Sequence, residues 1–219
     1  MIEQTKNDIN QRVAQGIEHF SLICSTGKKT AIVRAKGLAF VEMYAIHEYA
    51  TTTAVRLGLT AIANLGIELR ELHPGLLSLA LHDNLRSIKD STANQWRARR
   101  ELFESLQARL SSDINVESFP ADGTHYRRTQ IETIWVVFGI KTRIVPDRRL
   151  LPLIDEVVEH RNAVAHGREK PEDIGGRYTS QEIKKKFRQI GRIDSHILES
   201  INRQCCSAKL ICRTKTSNT

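Results

Sequence analysis

Residues 147–167 read DRRLLPLIDEVVEHRNAVAHG, and this stretch decides the fold. At about 100° per residue, Leu151, Ile154, Val158 and Ala165 fall on one side of a helix, and Val157 and Val164 widen the apolar arc. Arg161 lands near the middle of that arc, where a cation seldom sits unless it is paired or functional. Asn162 and His166 are four apart and share a face at the arc's edge. Gly167 stands where a C-capping glycine belongs. A helix of Leu, Ile, Val and Ala carrying one inward arginine sets the expected class of the whole chain, all-α.

The same period recurs on both sides. Ile9, Val13, Ile17, Phe20 and Cys24 predict a helix over 3–25. A longer one is predicted over 30–65, with Glu42 and Glu48 set among apolar residues. Thr51–Thr53, Gly58 and Gly66 are the places where it is expected to break. Pro74-Gly75 marks a turn before a short buried helix over 76–88. Residues 96–110 form a further predicted helix, with Trp96, Leu102, Phe103, Leu106 and Leu110 inward and Arg97, Arg99 and Arg100 outward. Residues 111–128 are the longest loop. Thr129–Glu132 then looks like a capping box for a helix through Phe138, stopped by Gly139. After a loop over 170–178, Thr179–Glu182 forms a second capping box. The last helix sends Phe187, Ile190, Ile197 and Ile201 inward and Lys184, Arg188 and Arg192 outward. The expected organisation is one helical domain over 1–206, its motif helix at 147–167, and a flexible tail over 207–219.

Composition narrows the function. A chain of 219 residues can bury a real core, and aromatics at 5% against plentiful aliphatics suit helix packing. Lys and Arg number 33 against 25 Asp and Glu, a net charge of +8 that favours a polyanionic partner. No apolar run approaches the ~18 residues of a membrane span, and the polar start MIEQTKNDINQ has no signal-peptide core. A cytoplasmic protein with no membrane partner is expected. Cys24, Cys205, Cys206 and Cys212 form no Cys-x-x-Cys, so reduced thiols are the default. P-loop, dinucleotide, His-Glu-x-x-His and Gly-x-Ser-x-Gly signatures are all missing. His160 and His166 sit about 120° apart on a helix, poor geometry for one metal. No cofactor and no metal are expected.

Two readings of the arginine and histidine remain open. Arg161 pairs with Glu42, Glu48 or Glu132 and His166 meets its helix dipole, or the two carry chemistry. Spacing alone does not choose, since Arg12 and His19 fit the same loose pattern.

The run Arg161-Asn162-Ala163-Val164-Ala165-His166 resembles the signature of the HEPN superfamily (higher eukaryotes and prokaryotes nucleotide-binding). Residues 35–49 (AKGLAFVEMYAIHEY) resemble the early helix of the stand-alone bacterial MAE-type HEPN family, and residues 130–140 (QIETIWVVFGI) the helix and glycine before its motif helix. The resemblance spans about 35–204. It implies an up-and-down helical bundle with extra helices. It also implies a metal-independent endoribonuclease in a toxin or defence setting, partnered by RNA, by a second copy through the motif helix, and by an antitoxin or another protein. Two motif helices would pool their residues, which suits the roughly 140° between Arg161 and His166 on one helix. The roles implied are His166 as general base or acid, Arg161 stabilising charge on phosphate oxygens, and Asn162 orienting His166 or binding phosphate. Arg127, Arg128, Arg148, Arg149, Lys184 and Arg188 are the candidate RNA contacts. The alternative is a non-catalytic HEPN dimer that binds RNA or a partner protein. Some relatives are modified on a tyrosine two positions after the motif histidine; here that position is Arg168.

Overall fold

The computed structural model describes residues 2–90, 94–107, 114–115, 119 and 126–206. Among them are nine α-helices and no β-strand: α1 (Ile2–Thr26), α2 (Lys29–Ala63), α3 (Pro74–Ala80), α4 (His82–Asp90), α5 (Gln95–Gln107), α6 (Arg128–Phe138), α7 (Leu151–Ala165), α8 (Pro171–Gly175) and α9 (Ser180–Cys205). The all-α reading holds. The tail over 207–219, Leu110 and most of the 111–128 loop lie outside the described residues. The chain divides into two compact units, one of residues 1–54, 124–132 and 143–199, the other of 55–123, 133–142 and 200–219.

In the first unit α1 buries Ile9, Val13 and Phe20, α2 buries Phe40, Met43 and Tyr44, and α9 buries Ile183, Phe187, Ile190 and Ile197. Small residues let these helices approach closely. A Cβ on Gly16 would lie 2.7 Å from the Phe187 ring, and one on Gly191 would lie 2.9 Å from Val13. At the centre, His47 of α2 meets Asp194 of α9, Nδ1 to Oδ1 at 2.6 Å, with both side chains fully buried. Its Nε2 donates to the Tyr126 carbonyl at 3.2 Å. Burial alone would lower the His47 pKa; the adjacent Asp194 carboxylate and the carbonyl outweigh it and raise it.

Residues 170–178 hold a short helix where a loop was expected. Pro171 presets its first turn, Ile174 is fully buried, and two glycines bring its backbone against α2. A Cβ on Gly37 would sit 2.0 Å from the Pro171 carbonyl oxygen, and one on Gly175 would sit 1.9 Å from that of Val33. The second expected capping box is present: Thr179 Oγ1 accepts from the Glu182 amide at 3.2 Å, and Glu182 accepts from the Thr179 amide at 2.6 Å. The first is replaced. The helix begins two residues earlier, at Arg128, whose amide donates to Asp155 of α7 at 3.1 Å, while Glu132 turns to the Arg128 guanidinium at 2.8 Å.

Helix α2 does not break. Thr51 is fully buried and Thr52 Oγ1 is 2.9 Å from the Tyr126 hydroxyl, so tertiary contacts override the poor propensity of the threonines. Gly58, in the second unit, is a packing glycine: its Cβ would fall 2.6 Å from Ile201 and 2.9 Å from Phe138.

Two further expectations fail in the second unit. The stretch 76–88 is two helices, α3 and α4, separated at Leu81, and α4 has no buried residue. On α5 the face expected inward is only partly covered: Leu102 and Leu106 are half-buried, while Trp96 is 78% and Phe103 62% exposed. Ion pairs Arg97–Glu101 and Arg100–Glu104 brace that helix instead. Periodicity identifies an apolar face; it does not supply something to cover it. Helix α6 ends as expected at Gly139, φ +66°.

The close approach of α2 and α8 gives a direct test. Gly37→Ala forces a methyl into the Pro171 backbone and is expected to cost about 1–3 kcal/mol, read as a lower urea midpoint with an unchanged slope.

Candidate functional site

Asp147 opens the central segment by accepting from the Arg149 amide at 3.0 Å, which caps a 3-10 turn over Arg148–Leu150. Helix α7 follows from Leu151 to Ala165 and buries Leu153, Ile154, Val157, Val158, Asn162 and Ala163. Its buried face is therefore rotated from the arc read in the sequence: Ala165 is exposed, and Asn162 is inside. The motif helix inserts an amide, not a guanidinium, into the core.

That amide holds the arginine. Arg161 Nη1 donates to Asn162 Oδ1 at 2.9 Å, and its guanidinium carbon lies 4.6 Å from the centre of the Tyr44 ring on α2. Tyr44 in turn donates to Glu48 at 3.4 Å. Burial and the Glu48 charge push the Tyr44 phenol up to about 12, so it stays a neutral ring beneath the cation. The carboxylates expected to pair with Arg161 are engaged elsewhere or out of reach. Glu42 lies 3.9 Å from His19, and Glu132 pairs with Arg128. Among the described residues Arg161 makes no ion pair. It is oriented without being neutralised.

His166 sits at the C-cap of α7 and is exposed. Gly167, φ +65°, turns the chain there. The Arg168 amide reaches the Ala163 carbonyl at 2.8 Å and the Gly167 amide reaches Val164 at 3.1 Å, the paired bonds of a Schellman cap. The cap satisfies the last carbonyls with backbone amides and leaves the imidazole outside. Asn162 and His166 are joined only through the backbone, amide to carbonyl at 3.0 Å. The Asn162 side-chain oxygen serves Arg161.

His160 faces elsewhere. Its ring packs edge-on against Phe40 at 4.6 Å, and its Nε2 donates to the Tyr178 hydroxyl at 2.7 Å. Tyr178 donates to Glu156, also at 2.7 Å, and Lys186 closes the chain on Glu156. Burial holds the His160 pKa below its ordinary value. This network ties α7 to α9. Tyr44 and Tyr178 are the supporting residues with no signal in the sequence, since Tyr44 lies within an apolar helical pattern and Tyr178 at the end of a polar stretch.

The HEPN_MAE_28990-like HEPN family model matches residues 1–210. The chain belongs to this HEPN family. No curated protein and no solved structure matches it. The match begins ahead of residue 35 and takes in α1.

The basic residues of this HEPN domain divide into two groups. Arg127 pairs with Glu159 at 3.2 Å, Arg128 with Glu132 at 2.8 Å, and Arg149 with Asp147 at 2.7 Å. Hydrogen bonds from Arg149 hold Asp147 down to about 2. Arg148, Lys184 and Arg188 have no ion pair among the described residues. Within the same residues no three His, Cys, Asp or Glu side chains are grouped to hold a metal ion, and no helix is long and apolar enough to cross a membrane.

The Schellman turn fixes where His166 stands, and Gly167 has open space around a would-be Cβ. Gly167→Ala therefore tests conformation without a clash. It is expected to cost about 1–2 kcal/mol from the left-handed backbone alone, and to speed amide hydrogen exchange in the last turn of α7.

Proposed function

We propose that this HEPN domain is a metal-independent endoribonuclease whose site contains Arg161, Asn162 and His166. The observation that carries the reading is the oriented, un-neutralised Arg161 guanidinium on the same helix end as an exposed imidazole. A fixed cation without a counter-charge is suited to an incoming anion, and a planar guanidinium can bond two phosphate oxygens at once. Imidazole is the side chain whose free titration lies nearest neutral pH, as proton transfer at that pH requires.

The chemistry is attack of an RNA 2′-hydroxyl on the adjacent phosphorus. One imidazole takes the hydroxyl proton, the 2′-oxygen bonds to phosphorus, and the 5′-oxygen leaves with a proton from a second imidazole. Arg161 stabilises the charge that builds on the non-bridging oxygens. Asn162 acts through Arg161, holding it in place. One chain offers a single motif histidine, so the second imidazole comes from another copy across a two-fold axis through the motif helix. The RNA strand would be drawn by the unpaired cations Arg148, Lys184 and Arg188, with Arg127, Arg128 and Arg149 contributing where RNA displaces their carboxylates. Family resemblance alone suggests a toxin or defence setting with an antitoxin or other partner.

One observation favours a second reading. The His166 ring has no hydrogen-bond partner among the described residues to set its tautomer, as a HEPN dimer that only binds RNA or a protein would allow. Cleavage of single-stranded RNA in EDTA separates the two. For the ribonuclease, Arg161→Ala and His166→Ala each lower the rate at least ~100-fold, His166→Ala leaves the melting temperature unchanged because the ring is exposed, and DNA of the same sequence stays intact. RNA that is bound but uncut by the wild-type chain means the binding module.

A further inference from the structure

A second cationic site lies away from the motif, between α1, α9 and the residues before α7. Here Arg188, Arg192 and His196 follow one another at i, i+4 and i+8 along α9 and line a surface cavity of about 420 Å³ with Lys6 and Asn10 of α1. Gly191 sets the depth of this contact, since Val13 of α1 packs where its Cβ would be. Pro146 forms the remaining wall.

The charges do not cancel. Glu199 is the one carboxylate in the lining, and Lys6 holds it at 2.5 Å. Outside the lining, Asp147 feels Arg192 but gives its hydrogen bonds to Arg149. Both Arg188 and Arg192 are exposed and have no ion pair among the described residues. His196 donates from Nε2 to the Arg143 carbonyl at 2.8 Å, which fixes the ring beside them. No Phe, Tyr or Trp lines the cavity. Four basic side chains, Lys6, Arg188, Arg192 and His196, face this cavity against the single carboxylate of Glu199, and cationic donors in such excess suit phosphate oxygens.

Its position relates to the motif. Lys186 pairs with Glu156 and His196 reaches back to Arg143, so α9 runs antiparallel to α7. The cavity is therefore at the start of α7 and the motif at its end. Pro146 precedes the first turn and Arg161 is ten residues past Leu151, a separation of about 15–20 Å at 1.5 Å per residue. A few nucleotides of single strand cover that length.

We propose that the Arg188–Arg192 cavity is a phosphate-binding subsite that holds the RNA backbone a few nucleotides from the scissile bond. The phosphate chemistry stands on this cavity alone, and the RNA source rests on the ribonuclease reading. The test measures binding of two probes to the full chain by calorimetry or anisotropy: a 12-nucleotide single strand of 2′-O-methyl RNA, which cannot be cut, and inorganic tripolyphosphate. The variants are the double Arg188→Ala, Arg192→Ala and the single Arg192→Glu, all at exposed positions. The double variant is expected to bind the RNA roughly tenfold more weakly, with a log–log salt slope shallower by about 1.4 for two lost phosphate contacts. The single Arg192→Glu variant should cleave a dinucleotide too short to reach the cavity at the wild-type rate. Loss of tripolyphosphate binding with RNA binding intact keeps the phosphate site and removes RNA as its source. Loss of RNA binding beside a wild-type chain that cuts nothing keeps the site and refutes the ribonuclease. Unchanged affinity and salt slope for both probes in both variants overturns the proposal, whether or not the chain cleaves RNA.

Discussion

The buried bond between His47 and Asp194 is the constraint on which the first unit depends. It joins the middle of α2 to the middle of α9 and pins the Tyr126 carbonyl ahead of α6. Such a pair adds little net stability over an apolar replacement, yet removal of one partner costs about 3–5 kcal/mol because the other is left buried and unmatched. Its effect is on register: α2 can present only one face to α9. One turn before His47 on α2 is Tyr44, and Tyr44 carries the Arg161 guanidinium on its ring. The rotation fixed at the core thus sets the floor of the candidate site.

The site itself follows from a division between satisfied and unsatisfied charge. Around the outside of α7, Asp155 and Glu159 take up the Arg128 amide and the Arg127 and Arg168 side chains. On its inner side Glu156 takes Tyr178 and Lys186. Carboxylates are thus spent on holding the helix, and none is spent on Arg161. Asn162 supplies direction without charge, which is what its burial beside the arginine accomplishes. The same division recurs on α9, where Glu199 serves Lys6 and leaves Arg188 and Arg192 for an external anion.

Much of this was legible from residue order. The helical period of residues 147–167 and its closing glycine gave α7 and its cap, and the Arg-Asn-x-x-x-His run led to the HEPN family. What could not be read was the rotation of α7 in the core. Leu151 and Ala165 fit the apolar stripe as well as Leu153 and Ala163 do, and only packing against other helices decides between them. For the same reason the apolar pattern points Arg161 inward, where the structure buries its neighbour Asn162 instead. The failures on α2 and α5 have opposite causes. At Gly58 and Thr51–Thr53 long-range contacts sustain a helix that local propensity would interrupt. On α5 Trp96 and Phe103 remain exposed although their spacing matches that of core residues.

The most direct measurement is the chemical identity of the ends left when the purified chain cuts a defined RNA in EDTA. Attack by the 2′-hydroxyl leaves a 2′,3′-cyclic phosphate on the upstream fragment and a 5′-hydroxyl on the downstream one, and a single 2′-deoxy substitution at the cut site blocks the reaction there. A 3′-hydroxyl with a 5′-phosphate, or cleavage that persists at the 2′-deoxy position, would contradict the mechanism assigned to Arg161 and His166.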